Sequence, residues 1–251
     1  MEATATAPEH ADGMMSPLRL VFFHLGPGVA MTLGFAVIAS LVAPLGWPAT
    51  LGLLLTWPVI GLPLLLGLLF YQGYKLNGHW SLKGVILYKQ PLAIRHYVWL
   101  ISVLLVWTIF WSNVLFPLAD VIRRLLFGWW PGWLNLSAFA QDPTQYPAPV
   151  LWAVVVLSAV LNLVIPAAEE LYFRGFLLPH TPGGPRWAPL VNASLFSLYH
   201  FWLPWDFFGR LVALLPVVYV VQWKRNVYVS IWVHCLLNSL GTVGLVVLAL
   251  R

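Results

Sequence analysis

A handful of polar side chains stand out in a sequence that otherwise avoids charge. Glu169, Glu170 and Arg174 lie within IPAAEELYFRGF (165–176), His200 closes NASLFSLYH, and His234 and Asn238 lie within IWVHCLLNSL. A carboxylate among apolar residues suits general acid or base work, and imidazole and amide side chains can donate or accept hydrogen bonds beside it. On a helix, Glu170 and Arg174 are four residues apart and share a face, whereas Glu169 points about 100° away. Glu170 is therefore expected to be neutralised by Arg174, which leaves Glu169 with no partner on its own helix and free for acid or base work. His234 and Asn238 share a face by the same spacing.

Each of these residues also has an ordinary structural reading. A Glu–Arg pair can sit solvated at a membrane surface, and a buried His or Asn can simply tie helices together. What weighs against that reading is their placement on three different apolar segments at similar depth. His200 and His234 are the only histidines placed deep in the predicted spans.

The elements that must carry these side chains follow from composition. Of 251 residues, 61% are hydrophobic and 8% charged, against about a quarter charged in an ordinary soluble domain. The expected fold class is all-α, a polytopic transmembrane helical bundle of about seven spans. The spans are expected near 20–43, 51–70, 97–118, 149–179, 187–203, 207–222 and 227–250, each long enough or nearly so for a bilayer core. Fifteen tryptophans, clustered as in FGWWPGWLNL and HFWLPWDFFGR, fit headgroup level. Residues 1–19 lack the basic start of a secretory signal and are expected to form a disordered tail. Residues 20–148 then hold three spans and their loops, and 149–251 the core that bears the polar motifs. Pro166 should kink the fourth span just before the acids, freeing carbonyls and admitting water. Glu169 lies ten residues from the inner end of that span, about 15 Å deep.

Lys75, Lys83, Lys89 and Arg95 flank the loop between spans two and three, which the positive-inside rule places in the cytoplasm. The N-terminus is then cytoplasmic, and the site is expected to be reached from that side. Arg123 and Arg124 fall on the other side, where an interfacial helix would accommodate them. The net charge of +5 is accounted for by topology and calls for no nucleic acid. The lone Cys235 excludes an intrachain disulfide and a cysteine-based zinc cluster.

EELYFR (169–174), FSLYH (196–200) and HCLLN (234–238) resemble, in order, the EExxxR, FxxxH and HxxxN motifs of the CPBP family of CAAX prenyl proteases and bacteriocin-processing enzymes. The resemblance covers about 150–250. It implies an intramembrane endopeptidase in which Glu169 activates water and His200, His234 and Asn238 line the site. Glu170 and Arg174 become a structural pair, with Phe196 packing one turn from His200. Substrates implied are a prenylated C-terminal tail or a peptide precursor, met within membrane lipid. A non-proteolytic protein of the same fold, with an immunity or scaffold role, is the competing reading.

Zinc is the one cofactor the residues could take, through Glu169, His200 and His234, with a fourth position for water. Glu169 cannot readily be both ligand and base, and no other acid on spans five to seven lies close in depth, since Asp206 falls near the external end. A metal-free, glutamate-activated water is therefore favoured. HExxH, a Ser-His-Asp set and paired intramembrane aspartates are all lacking.

Overall fold

The computed structural model describes residues 13–250. Seven long helices form an α-helical bundle: α1 (Pro17–Val42), α2 (Ala49–Asn77), α3 (Ile94–Leu126), α4 (Ala148–His180), α5 (Gly184–Tyr199), α6 (Phe207–Lys224) and α7 (Tyr228–Ala249). Every one except α5 is long and apolar enough to cross a membrane. The protein is an integral, multi-pass membrane protein of all-α architecture. No strand occurs among the described residues, only an isolated bridge between Lys89 and Asn226. The first twelve residues of the expected tail lie outside the described residues; Pro17 opens α1, where its missing N–H costs nothing.

Outward faces are apolar, as lipid requires: Val103, Val106 and Phe110 of α3 are all exposed. The inward faces meet chiefly in three contacts, α4 against α7, α5 against α6, and α3 against α6. At Gly28 of α1 a Cβ would collide with the Tyr199 carbonyl, so glycine there lets α1 lie against the end of α5, one residue before His200.

The expected fifth span is shorter than its pattern suggested. Helix α5 stops at Tyr199 after 16 residues, about 24 Å, and the chain turns through 200–206 into α6. Trp202 and Trp205 are buried in that turn, which explains why its hydrophobicity resembled a continuing helix. Helix α3 is longer than expected and carries Arg123 and Arg124 in its last turn, where both pair with Asp120 at 2.7 and 3.1 Å. No separate interfacial helix is needed to hold them.

The basic segment between α2 and α3 folds back against the bundle. Leu87 N–H donates to the Gly175 carbonyl at 3.1 Å, Gln90 N–H to Arg225 at 2.8 Å, and Val227 N–H to Tyr88 at 2.9 Å. Val85 and Ile86 of this segment are buried against the bundle. This segment covers the end of the bundle nearest the C-terminal part of α4.

Candidate active site

Helix α4 runs as a regular α-helix through Pro166 to Glu170 and then widens into a π-helical stretch, Leu171–Leu177. A π-turn re-aims side chains and loosens the carbonyl ladder, and such turns concentrate at functional sites. The disruption expected at Pro166 thus falls just after the two acids rather than just before them. The Phe173 carbonyl, which accepts from the Leu178 N–H within this stretch, also accepts from Asn192 Nδ2 of α5 at 2.9 Å.

The two glutamates diverge as helical geometry requires, and both are almost fully buried, at 2% and 1% exposure. Glu170 Oε2 lies 3.3 Å from Arg174 Nε, an ion pair in which the remaining guanidinium stacks 3.8 Å from the Phe196 ring centre. The other oxygen of Glu170 accepts from His234 Nδ1 at 2.9 Å. Glu170 is therefore not only the partner of Arg174: it also orients a histidine from α7, a link that spacing along one helix could not reveal.

Glu169 faces a cavity of about 460 Å³ that His200, His234 and Asn238 also line. Its two oxygens lie 4.0 Å from His200 Nε2 and 3.9 Å from His234 Nε2. The protonation of each ring follows from what holds its other nitrogen. His200 Nδ1 sits 2.9 Å from the Phe196 carbonyl, which can only accept, and His234 Nδ1 faces a carboxylate. Both Nδ1 atoms are donors, so in the neutral rings both Nε2 lone pairs point at Glu169. Three acceptors converge, and no protein hydrogen bond joins them. The buried Tyr199 hydroxyl adjoins Glu169 without a well-formed hydrogen bond to it.

Such a set attracts either a donor or a cation. Two ligands of a tetrahedral zinc at about 2.1 Å lie about 3.4 Å apart. Two groups hydrogen-bonded to one water at about 2.8 Å near the tetrahedral angle lie about 4.6 Å apart. The observed 3.9 and 4.0 Å fall between the two values, and the donor set suits either occupant.

Asn162, Arg210 and His24 escaped the sequence reading. Asn162, one turn before Pro166, donates to the Asn238 carbonyl at 3.0 Å and to Thr242 at 2.7 Å, fastening α4 to α7 beside the cavity. Arg210 and Asp206 line the cavity together and pair at 3.0 Å. Asp206 lines the cavity with a side chain that is 42% exposed, whereas Glu169 is almost fully buried. His24 is fully buried in α1, so His200 and His234 are not the only deep histidines: its Nδ1 donates to the Leu20 carbonyl at 2.9 Å and its Nε2 accepts from Asn192 at 3.0 Å. A polar residue one turn from a proline, and a histidine within reach of an interior Asn, were the available signals.

The cavity extends toward Leu53, Phe116, Leu203 and Asp206, away from the basic segment that covers the opposite end.

Fold and site together define a class: a multi-pass helical membrane protein with a carboxylate and two imidazoles converging inside the bundle. Residues 150–240, from α4 into α7, match the family described as type II CAAX prenyl endopeptidase, Rce1-like. The resemblance to the CAAX prenyl protease family is thereby shown over residues 150–240. At the level of the family, the match indicates a protease. No curated protein and no solved structure matches the chain.

Proposed function

We propose that the protein is an intramembrane endopeptidase in which Glu169 activates a water molecule against a peptide carbonyl, the substrate being a prenylated C-terminal tail or a peptide precursor. The observation that carries this reading is the convergence of the Glu169 carboxylate and two Nε2 lone pairs at 3.9 and 4.0 Å. A scaffold has no use for three acceptors facing one another, whereas a water donating two protons among them is held and polarised for attack.

In this reading Glu169 takes a proton as the water oxygen bonds to the carbonyl carbon, and returns it to the amine as the C–N bond breaks. His200, its Nδ1 held by the Phe196 carbonyl, keeps the water in line. His234, its Nδ1 committed to the Glu170 carboxylate, offers the second Nε2 lone pair to the water. The Asn238 amide, on the same face of α7, is the donor to the oxyanion. Arg174 holds Glu170 in place, and Phe196 holds Arg174. Every proton is carried by these side chains, with no step through a metal.

The test is a comparison of membranes containing the active protein with membranes containing Glu169→Gln, followed by proteomics of C-terminal fragments. Fragments that vanish in the variant support the reading and identify the substrate. Identical fragment sets in both would remove it.

A further inference from the structure

Two buried polar atoms meet beside the site, and each lacks what the other supplies. Glu169 Oε1, an acceptor, has no donor, and the hydroxyl of Tyr199, a donor, has no acceptor. Tyr199 is the last residue of α5 and is fully buried, and its hydroxyl lies against the Glu169 carboxylate. Leaving both atoms unpaired is costly in an interior, and a single O–H to carboxylate bond would satisfy the two together.

The tyrosine ring is held firmly in place. It packs 4.9 Å from the rings of Phe173 and His200 and 5.3 Å from that of Trp202. On α1, a Cβ at Gly28 would come within 2.9 Å of Tyr199 Cδ2, so the glycine leaves the ring its room. With the ring fixed, what remains free is rotation of the hydroxyl and a small movement of the carboxylate. Tyr172, three residues after Glu169, is the contrast: its hydroxyl donates to the Phe23 carbonyl at 2.8 Å and is spent on joining α4 to α1. Tyr199 does not line the cavity, so it meets the carboxylate from the protein side and leaves the other side to the water.

We infer that Tyr199 is a positioning residue whose hydroxyl donates to Glu169 Oε1 and fixes the carboxylate for its encounter with the water. This role rests on the peptidase reading above. A hydrogen bond to a carboxylate is stronger than one to a neutral carboxyl, so it supports the base before proton transfer and weakens once Glu169 holds the proton. Other charged and titratable groups also face Glu169: Glu170 and Arg174 on α4, His200 on α5, Arg210 on α6 and His234 on α7. Tyr199→Phe keeps all of them and removes one oxygen.

Infrared difference spectra of the whole protein in detergent micelles, taken against pH, follow the C=O band of the protonated Glu169 carboxyl, identified by its absence from Glu169→Gln. Tyr199→Phe is expected to raise the midpoint of that band by about one pH unit, a gain of about 10-fold in proton affinity, and to shift its frequency. Tyr172→Phe, which breaks a buried hydrogen bond in the same aromatic cluster, should leave the midpoint within about 0.3 unit of the parent. With an internally quenched farnesylated peptide as substrate, Tyr199→Phe should move the acid limb of kcat/KM to higher pH by the same amount while KM stays within about threefold; where this peptide is not cut, the infrared result decides. An unmoved midpoint or acid limb in Tyr199→Phe, an equal displacement by Tyr172→Phe, or no titrating Glu169 band in the folded parent overturns the role of Tyr199 and leaves the peptidase reading standing. A displaced midpoint in a protein whose membranes yield the same fragments as those of Glu169→Gln would keep Tyr199 as the partner of Glu169 and remove the peptidase reading.

Discussion

Two buried histidine sites in this bundle differ in one respect, and the difference separates structure from chemistry. At the first, His24 of α1 is fully enclosed and both ring nitrogens are satisfied, by Leu20 and by Asn192, which also donates to the Phe173 carbonyl in the π-stretch. At the second, His200 and His234 each have Nδ1 satisfied and Nε2 directed at Glu169 without a bond to it. A histidine with both nitrogens used can only hold helices together. One with a lone pair left over, facing a carboxylate across about 4 Å, can hold a reactant.

The largest expected effect sharpens the second site. Glu169→Gln preserves size and one accepting oxygen but removes the base, so cleavage should fall at least about 1,000-fold, toward the upper end of what general-base catalysis contributes, while the protein still elutes as a folded species in detergent. Cleavage at the parental rate would end the distinction between the two sites.

Arg174 tests whether the second site is buried in substance. Arg174→Ala leaves Glu170 as an unpaired carboxylate at 1% exposure, which should cost about 3–5 kcal/mol of stability along with most activity. Thermal unfolding in detergent gives the stability, and a variant as stable as its parent would mean that the pair is solvated.

The direct comparison comes from treating the histidines alike. His234→Gln and His200→Gln should each lower turnover about 100-fold with modest loss of stability. His24→Gln should reverse the pattern, costing about 1–3 kcal/mol from the broken buried contacts, with the turnover of the remaining folded protein within about threefold of the parent. If His24→Gln silences folded enzyme as thoroughly as the other two do, the distinction drawn from their nitrogens fails.

The smallest expected effect is that of chelation. With water as the bridge, exhaustive treatment with 1,10-phenanthroline should leave the rate unchanged. A chelated enzyme that stays inactive until zinc is returned would replace the water by a metal held by Glu169, His200 and His234. Metal content alone cannot decide this, because histidine pairs collect adventitious ions during purification.

Much of the architecture follows from the sequence because lipid imposes one rule on every segment: backbone groups must be paired internally, so long apolar stretches are helices. Six of the expected spans lie close to helices that can cross, and the Glu170–Arg174 pair follows from the four-residue repeat of a single helix. Hydropathy failed at α5, since buried aromatics in a turn count the same as those in a helix, and Trp202 and Trp205 carried the apparent span past His200. It also failed to bring Arg210 into the cavity, because its depth depends on how short α5 is.

By itself, then, the sequence determined the class of fold, the three motifs and the local pair, all of which depend on neighbours within a turn or two of one helix. The tertiary structure alone decided which nitrogen of each histidine is committed, that Glu170 serves His234 as well as Arg174, that His24 is a brace, and that Arg210 faces the site. Those depend on contacts such as His234 with Glu170, 64 residues apart in the chain, or Asn192 with His24, 168 apart, and no periodicity encodes a distance between helices.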